Sequence, residues 1–586
     1  METKTCQNCK NDFSVKPEDL SFYQKMNVPA PTWCFPCRLM RKMCWRNERI
    51  WYRRTCDATG KSILSIFDPK KPYKVYDQEY WKSDAWDPMD YGREYDFSKN
   101  FFEQFSDLLK DVPHPNLIQK NVINSEYSNI SLNIKNCYMT IGTDGAEDSS
   151  YINGMIRRVK ESMDLYQCSD DEYCYQSVDC EKSNKLFFSQ NCASCNDSFF
   201  LYDCRNCISC IGCVGLRNKQ YYIFNNQYTR EQYLQVVKEL NTGSINSLNE
   251  VKAQFEVLKL SVPQKYAMVL NSENVIGDDI INARNCFSCF NAKDRVENCH
   301  YSFRVNQNTK DGYDGYIVWN GSEMFYDLLS STGQNLKLSG FIWGGFDVEY
   351  SYNCFDCNNI FGCTGLRNKS YCILNKQYTK EEYQASVSKI KEHMNTLPYL
   401  GTLGKTYGYG EFFPPEISLF DYNETAAQDY YPKSKEQVLA SGFSWRDSDE
   451  KNYQITKKVG ELPDSISEVP DSITSEVIEC LHQGKCHDQC ATAFRIIPSE
   501  LAFLKRFNIP LPQLCPACRH MDRIRLKNPM NLWHRTCMCD PSINSGQASA
   551  NHFHGGSPCD VEFETSYAPD RPEQVYCEKC YQAEVL

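Results

Sequence analysis

KLFFSQNCASCNDSFFLYDCRNCISCIGC, Lys185 to Cys213, is the stretch on which the fold turns. Short aromatic, β-prone strings such as KLFFSQNC, SFFLYDC and QYYIFNNQY begin about every 12 residues and are separated by Asn, Asp, Ser and Cys. That rhythm predicts strand, turn, strand. Short strands at regular spacing suggest a β-solenoid, in which each coil stacks on the next and inward Cys, Ile and Phe form ladders; an antiparallel meander is the competing arrangement.

The stretch belongs to an internal duplication. IGCVGLRNKQYYIFNNQYTREQY (Ile211 to Tyr233) recurs as FGCTGLRNKSYCILNKQYTKEEY (Phe361 to Tyr383) at an offset of 150. Each copy leads into a helix: Thr379 with Glu382 is a capping box, Thr229 with Gln232 its weaker twin, and Ser247 with Glu250 is expected to open a further helix running to Leu258. The 17 cysteines from Cys137 to Cys372 invite an iron–sulfur or extended zinc array. Their spacing follows the strand rhythm, however, and the second half keeps only some of them. Small, readily buried thiols packed in a narrow β-core account for both facts.

A second duplication brackets the first. Cys9-x24-Cys34-x2-Cys37-x18-Cys56 is matched without a gap by Cys490-x24-Cys515-x2-Cys518-x18-Cys537, at an offset of 481. Beyond Cys56 the match resumes at offset 500, so the second copy carries about 19 extra residues, with His552 and His554 in a Gly/Ser/Asn-rich loop. Cys6, Cys9, Cys34 and Cys37 form CxxC…CxxC, the spacing that aims four thiolates at one tetrahedral zinc. In the second copy Cys490, Cys515 and Cys518 are joined by Cys486, with His487 as the alternate. Another site takes Cys559, Cys577 and Cys580 with Cys537, or Cys539 in its place. Opposite Cys559, Cys577 and Cys580 the first copy has Thr59, Asp77 and Tyr80, so it is expected to hold one zinc and the second copy two, about three per chain. Closed all-cysteine sites leave no position for water or substrate, which makes the metal structural.

These signals divide the chain into a zinc-ribbon module at 1–95, a connector at 96–119, two cysteine-rich β-repeat halves at 120–262 and 263–396, a connecting region at 397–475 and a second zinc-ribbon module at 476–586. At 586 residues the chain exceeds one core, and its 33 cysteines are too sparse for a secreted disulfide framework. METKTCQNCK lacks an apolar leader, and no apolar run approaches the roughly 18 residues of a membrane span. A cytoplasmic protein with reduced thiols and no membrane contact is expected.

Chemistry-bearing motifs are scarce. GxxxxGK[ST], GxGxxG after a strand, HExxH and GxSxG are all missing, which argues against an enzyme and leaves catalysis in a groove of the repeat region as a third reading. A net charge of −11 confines any nucleic-acid contact to local patches. CRLMRKMCWRNERIWYRR, Cys37 to Arg54, interleaves Arg38, Arg41, Lys42, Arg46, Arg49, Arg53 and Arg54 with Trp45, Trp51 and Tyr52, a mixture suited to phosphate contact and base stacking. Arg519, Arg523, Arg525 and Lys527 repeat it more weakly. If these side chains form an exposed stripe, single-stranded nucleic acid or a ribonucleoprotein is the expected partner. If they pack inward, a protein-interaction scaffold is expected, in keeping with the acidic charge and 38 tyrosines.

NSEN (Asn271 to Asn274), GLRNKSY (Gly365 to Tyr371) and EFFPPE (Glu411 to Glu416) give the chain, over nearly its full length, a resemblance to a family of cysteine-rich proteins found in Candidate Phyla Radiation bacteria. The resemblance implies no activity. Some members carry a CaiB/BaiF CoA-transferase label, which the residues here do not support. The termini are similar to bacterial zinc-ribbon domains with CxxC and RPVYCxxC knuckles, matched by Arg571 to Cys580 with Glu573 and Gln574 departing from the pattern; Asp77 and Tyr80 depart from it in the first copy.

Overall fold

A computed structural model describes residues 2–447, 453–486, 488–540, 553–555 and 557–585. His487 and His552 lie outside the described residues. The architecture is mixed, with more strand than helix and a cysteine cluster at either end.

Two parallel ladders fill the centre. In the first, Gln119–Ile123, Asn129–Lys135, Ile141–Glu147 and Asn153–Lys160 lie side by side. Ser131 pairs with Thr143, 12 residues on. Single bridges such as Tyr166 to Val178 and Val178 to Gln190 carry the ladder onward, to Asn184–Phe187, Asn196–Phe199, Ile208–Ile211 and Gln220–Ile223. The second ladder runs through Glu273–Asn306, Lys310–Val318, Glu323–Glu349, Tyr352–Phe361 and Ser370–Ile373, again parallel. The antiparallel meander is therefore not formed.

Within each 12-residue step a finer period of three operates. Asp164, Gln167, Asp170, Tyr173, Gln176 and Asp179 all have positive φ near +50°. Asn and Asp tolerate that left-handed conformation best, which explains why they punctuate the sequence. Several also form rungs: Asn121 Nδ2 donates to Asn133 Oδ1 at 2.8 Å, and Asn124 Nδ2 to Asn136 Oδ1 at 2.9 Å. The residue after each such corner points inward, giving the buried series Leu165, Cys168, Asp171, Cys174, Ser177, Cys180, Ser183 and Leu186.

Inward thiols and hydroxyls satisfy backbone groups. Cys168 Sγ donates to the Ser177 carbonyl at 3.4 Å, and Ser177 Oγ to that of Leu186 at 3.2 Å. Inward serines also accept, as Ser162 Oγ does from the Cys174 N–H at 2.9 Å. A narrow core of this kind selects Cys, Ser and Leu over larger residues.

Helices follow the ladders. Arg230–Glu239 and Lys380–Thr396 begin at capping boxes on Thr229 and Thr379. The helix expected from Ser247 instead spans Ile245–Ser261, capped by Ser244, whose Oγ accepts the Ser247 N–H at 3.2 Å.

The terminal modules grip the ladders crosswise. Arg38 of the N-terminal module pairs with Asp314 of the second ladder, while Arg519 of the C-terminal module pairs with Asp164 of the first. Tyr301 Oη donates to Asp19 and Tyr151 Oη to Glu500, each at 2.9 Å. Val75 pairs with His114 just before the first ladder, and Val575 with Gln264 just before the second. All three pairs of contacts obey the same sequence offsets as the duplications.

Candidate metal centres

The N-terminal cluster is built on a hairpin and a helix. Glu2–Thr5 pairs with Asp12–Val15, and the loop between them carries Cys6 and Cys9. Cys34 stands at the N-terminus of the helix Phe35–Met43, with Cys37 in its first turn. The four sulfurs lie within 4.8 Å of one another. A tetrahedral thiolate site with metal–sulfur bonds of about 2.3 Å spaces its sulfurs about 3.8 Å apart; Cys9 and Cys34 stand at 3.6 Å. Hydrogen bonds from Cys34 and Cys37 pull the Cys6 thiol far below its usual range.

In the C-terminal module the matching cluster is Cys480, Cys490, Cys515 and Cys518, not the set containing Cys486. Cys480 occupies the place of Cys6 by three tests. Its N–H donates to Thr492 O at 2.9 Å as that of Cys6 does to Asn11 O. Its sulfur accepts the Cys515 N–H at 3.3 Å, as Cys6 accepts that of Cys34. It follows a strand, Ile478–Glu479, paired with Ala493–Phe494. The loop has grown between Cys480 and Cys490, and ungapped alignment from Cys490 therefore lands on His487. Cys486 lies beside the tetrad, 3.7 Å from Cys518.

Cys537, Cys559, Cys577 and Cys580 form a third tetrad, with Cys559 and Cys577 4.0 Å apart. The Cys577 N–H donates to Cys537 at 3.2 Å, as the Asp77 N–H does to Cys56. Cys539 falls outside the tetrad and groups with His554 and Cys580. In the N-terminal module Asp77 caps the helix Gln78–Lys82 through the Glu79 N–H, and the described residues around Cys56 supply no tetrad. No group of metal-ligand geometry occurs among the described central cysteines. Their CxxC spacing reflects the three-residue period of the ladder backbone.

The structure turns the basic segments inward. Arg38 meets Asp314 at 2.8 Å; Arg41 meets Glu411 at 2.8 Å and Asp327 at 3.5 Å; Lys42 also pairs with Asp327. Arg46 meets Glu48 at 2.6 Å, Arg49 meets Asp429 at 2.6 Å and Arg54 meets Asp57 at 3.0 Å. Trp45 is buried against Tyr352 and Phe413. Arg523 pairs with Asp164 at 2.7 Å, Arg525 with Asp488 and Asp522, and Lys527 with Asp179 at 2.6 Å. Of Arg41, Lys42, Arg46, Arg49 and Arg53, Arg53 is the exposed member. The expected stripe does not form: carboxylates on the ladders and on 411–429 draw Arg38, Arg41, Lys42, Arg49, Arg519, Arg523 and Lys527 inward, Arg46 and Arg54 pair with Glu48 and Asp57 of their own module, and Arg525 stays exposed beside Asp488 and Asp522.

Against known proteins, neither a family model nor a curated protein matches. A solved structure from Desulfovibrio desulfuricans G20, described as an acetyltransferase, aligns with 49% of this chain and 86% of its own at 9% identity and a TM-score of 0.11. Among the described residues no helix is long and apolar enough to cross a membrane.

Proposed function

We propose that the chain is a zinc-stabilised, non-catalytic scaffold of the cytoplasm, in which two zinc-ribbon modules clamp a pair of β-solenoids and display them to a protein partner. The zinc assignment rests on sulfur spacing. The 12-residue parallel register and the inward small residues support the solenoid reading. The observation that carries the scaffold function is the burial of Arg38, Arg41 and Lys42 on Asp314, Asp327 and Glu411: the module's positive charge holds the assembly together rather than facing solvent. Affinity capture from native lysate tests it. Partners that stay bound through nuclease treatment support the scaffold, whereas partners lost with nuclease overturn it.

One feature favours a nucleic-acid reading in a different place from the buried stripe. A groove of about 1270 Å³ between the modules is lined by Trp51, Tyr52, Arg53, Lys433 and Arg495. It offers aromatic faces beside cations, the combination that binds single strands. Anisotropy titration with single-stranded RNA at low salt decides it: Arg53, Lys433 and Arg495 changed to Gln should abolish binding if the groove is used.

A further inference from the structure

The enlarged loop of the C-terminal module carries donors of its own. Nine residues separate Cys480 from Cys490, against two between Cys6 and Cys9. Within that insertion stand His482, Cys486 and Asp488, and each places a donor atom within 4.8 Å of the others and of Cys518. The equivalent N-terminal loop holds only Gln7 and Asn8 between its cysteines.

Two of these donors are left without partners by the protein. His482 Nδ1 and Asp488 Oδ2 are buried atoms that accept or donate no hydrogen bond, and they stand 3.8 Å apart, beyond hydrogen-bond reach. Asp488 itself is only 3% exposed. Its other oxygen is held by the Arg525 guanidinium, an outer partner that fixes the carboxylate's orientation. Buried polar atoms without partners, aimed at one point beside two thiols, are what an ion would satisfy.

We propose that His482, Cys486, Asp488 and Cys518 bind a second divalent ion of the zinc class, with the Cys518 thiolate shared between it and the ion of the adjacent tetrad. The mixed nitrogen, sulfur and oxygen set suits zinc over harder cations, which prefer all-oxygen shells. Five thiolates and one carboxylate surround two divalent charges, and Arg525 offsets part of the excess. The outer ion sits in a half-exposed loop, so it should exchange faster than the tetrad ion. This inference rests on the tetrad binding metal, and the test separates the two.

Zinc-loaded full-length protein, freed of excess metal, should carry one more equivalent by mass spectrometry than the variant His482→Ala, Cys486→Ser. Circular dichroism of the variant should be unchanged. Cobalt titration supplies a second readout: the wild type should lose electron paramagnetic resonance intensity as the bridged pair fills, and the variant should not. His482→Ala alone, a milder change, should weaken the outer ion at least tenfold. Equal zinc content in wild type and both variants, or no cobalt coupling in the wild type, overturns the bridged site. Failure of the tetrad itself would show separately, as Cys515→Ser losing no metal at all.

Discussion

Arg519 Nη1 donates to Asp164 Oδ2 at 2.6 Å with both side chains buried, and the pair is the image of Arg38 with Asp314 in the other half of the molecule. Burying a charge is tolerated only when it is paired, and removing one member of such a pair typically costs about 3–5 kcal/mol. Arg38→Met and Arg519→Met should each lose stability of that order in chemical denaturation. Replacing both members of a pair with apolar residues should cost less. Losses below about 1 kcal/mol from both single variants would mean that these contacts do not hold the modules to the ladders.

Asp171 occupies an inward position between Val159 and Ser183 of the neighbouring rungs. It accepts the Ser183 N–H at 2.9 Å, as Ser162 accepts that of Cys174. Burial pushes its carboxyl up to about 8. A folded-state value above the unfolded one means that the folded chain binds more protons between the two, so stability falls as pH rises from about 4 to about 8. Asp171→Ser should therefore stabilise the protein at pH 8, by an amount on the order of a few kcal/mol, and have little effect at pH 4. Thermal unfolding at the two values checks this; an equal effect at both would exclude the proton linkage.

Asymmetry between the modules gives a metal prediction. Cys56→Ser should leave zinc content unchanged, because Asp77 is engaged as a helix cap and no tetrad surrounds Cys56. Cys577→Ser should remove about one equivalent and loosen the C-terminal end. Elemental analysis of both variants separates the cases, and equal losses would contradict the assignment.

Cys168, Cys174 and Cys180 should be inert. All three are buried, and desolvation raises each thiol above its usual range. Ellman's reagent should reach these ladder positions only after unfolding. Rapid modification of any of these three in the native protein would show that the ladder opens.

Much of this organisation was legible because duplications fix correspondences without any structure. Offsets of 481 and 150 relate matching contacts such as Arg38 with Asp314 and Arg519 with Asp164, and Cys490, Cys515 and Cys518 followed from Cys9, Cys34 and Cys37. Cys480 did not, since the insertion before Cys490 breaks the register; the signal that survived was a cysteine directly after a short strand, as in Thr5-Cys6 and Glu479-Cys480. Spacing alone could not tell a solvated basic helix from one with ladder carboxylates as partners. The clue was present in the duplicated aspartates, Asp164 and Asp314, which share the 150-residue offset. The three-residue period was hidden behind CxxC pairs that have the same spacing as metal knuckles. Chain direction, parallel or antiparallel, has no signature in alternating short strings and had to come from the structure.

Elemental analysis of the full chain, purified without chelator, tests the metal-centred reading most directly. Zinc sufficient for the three tetrads and the bridged site, with no visible absorbance, is the expected result. Protein that is folded yet free of zinc, or that carries iron with visible colour, would contradict it.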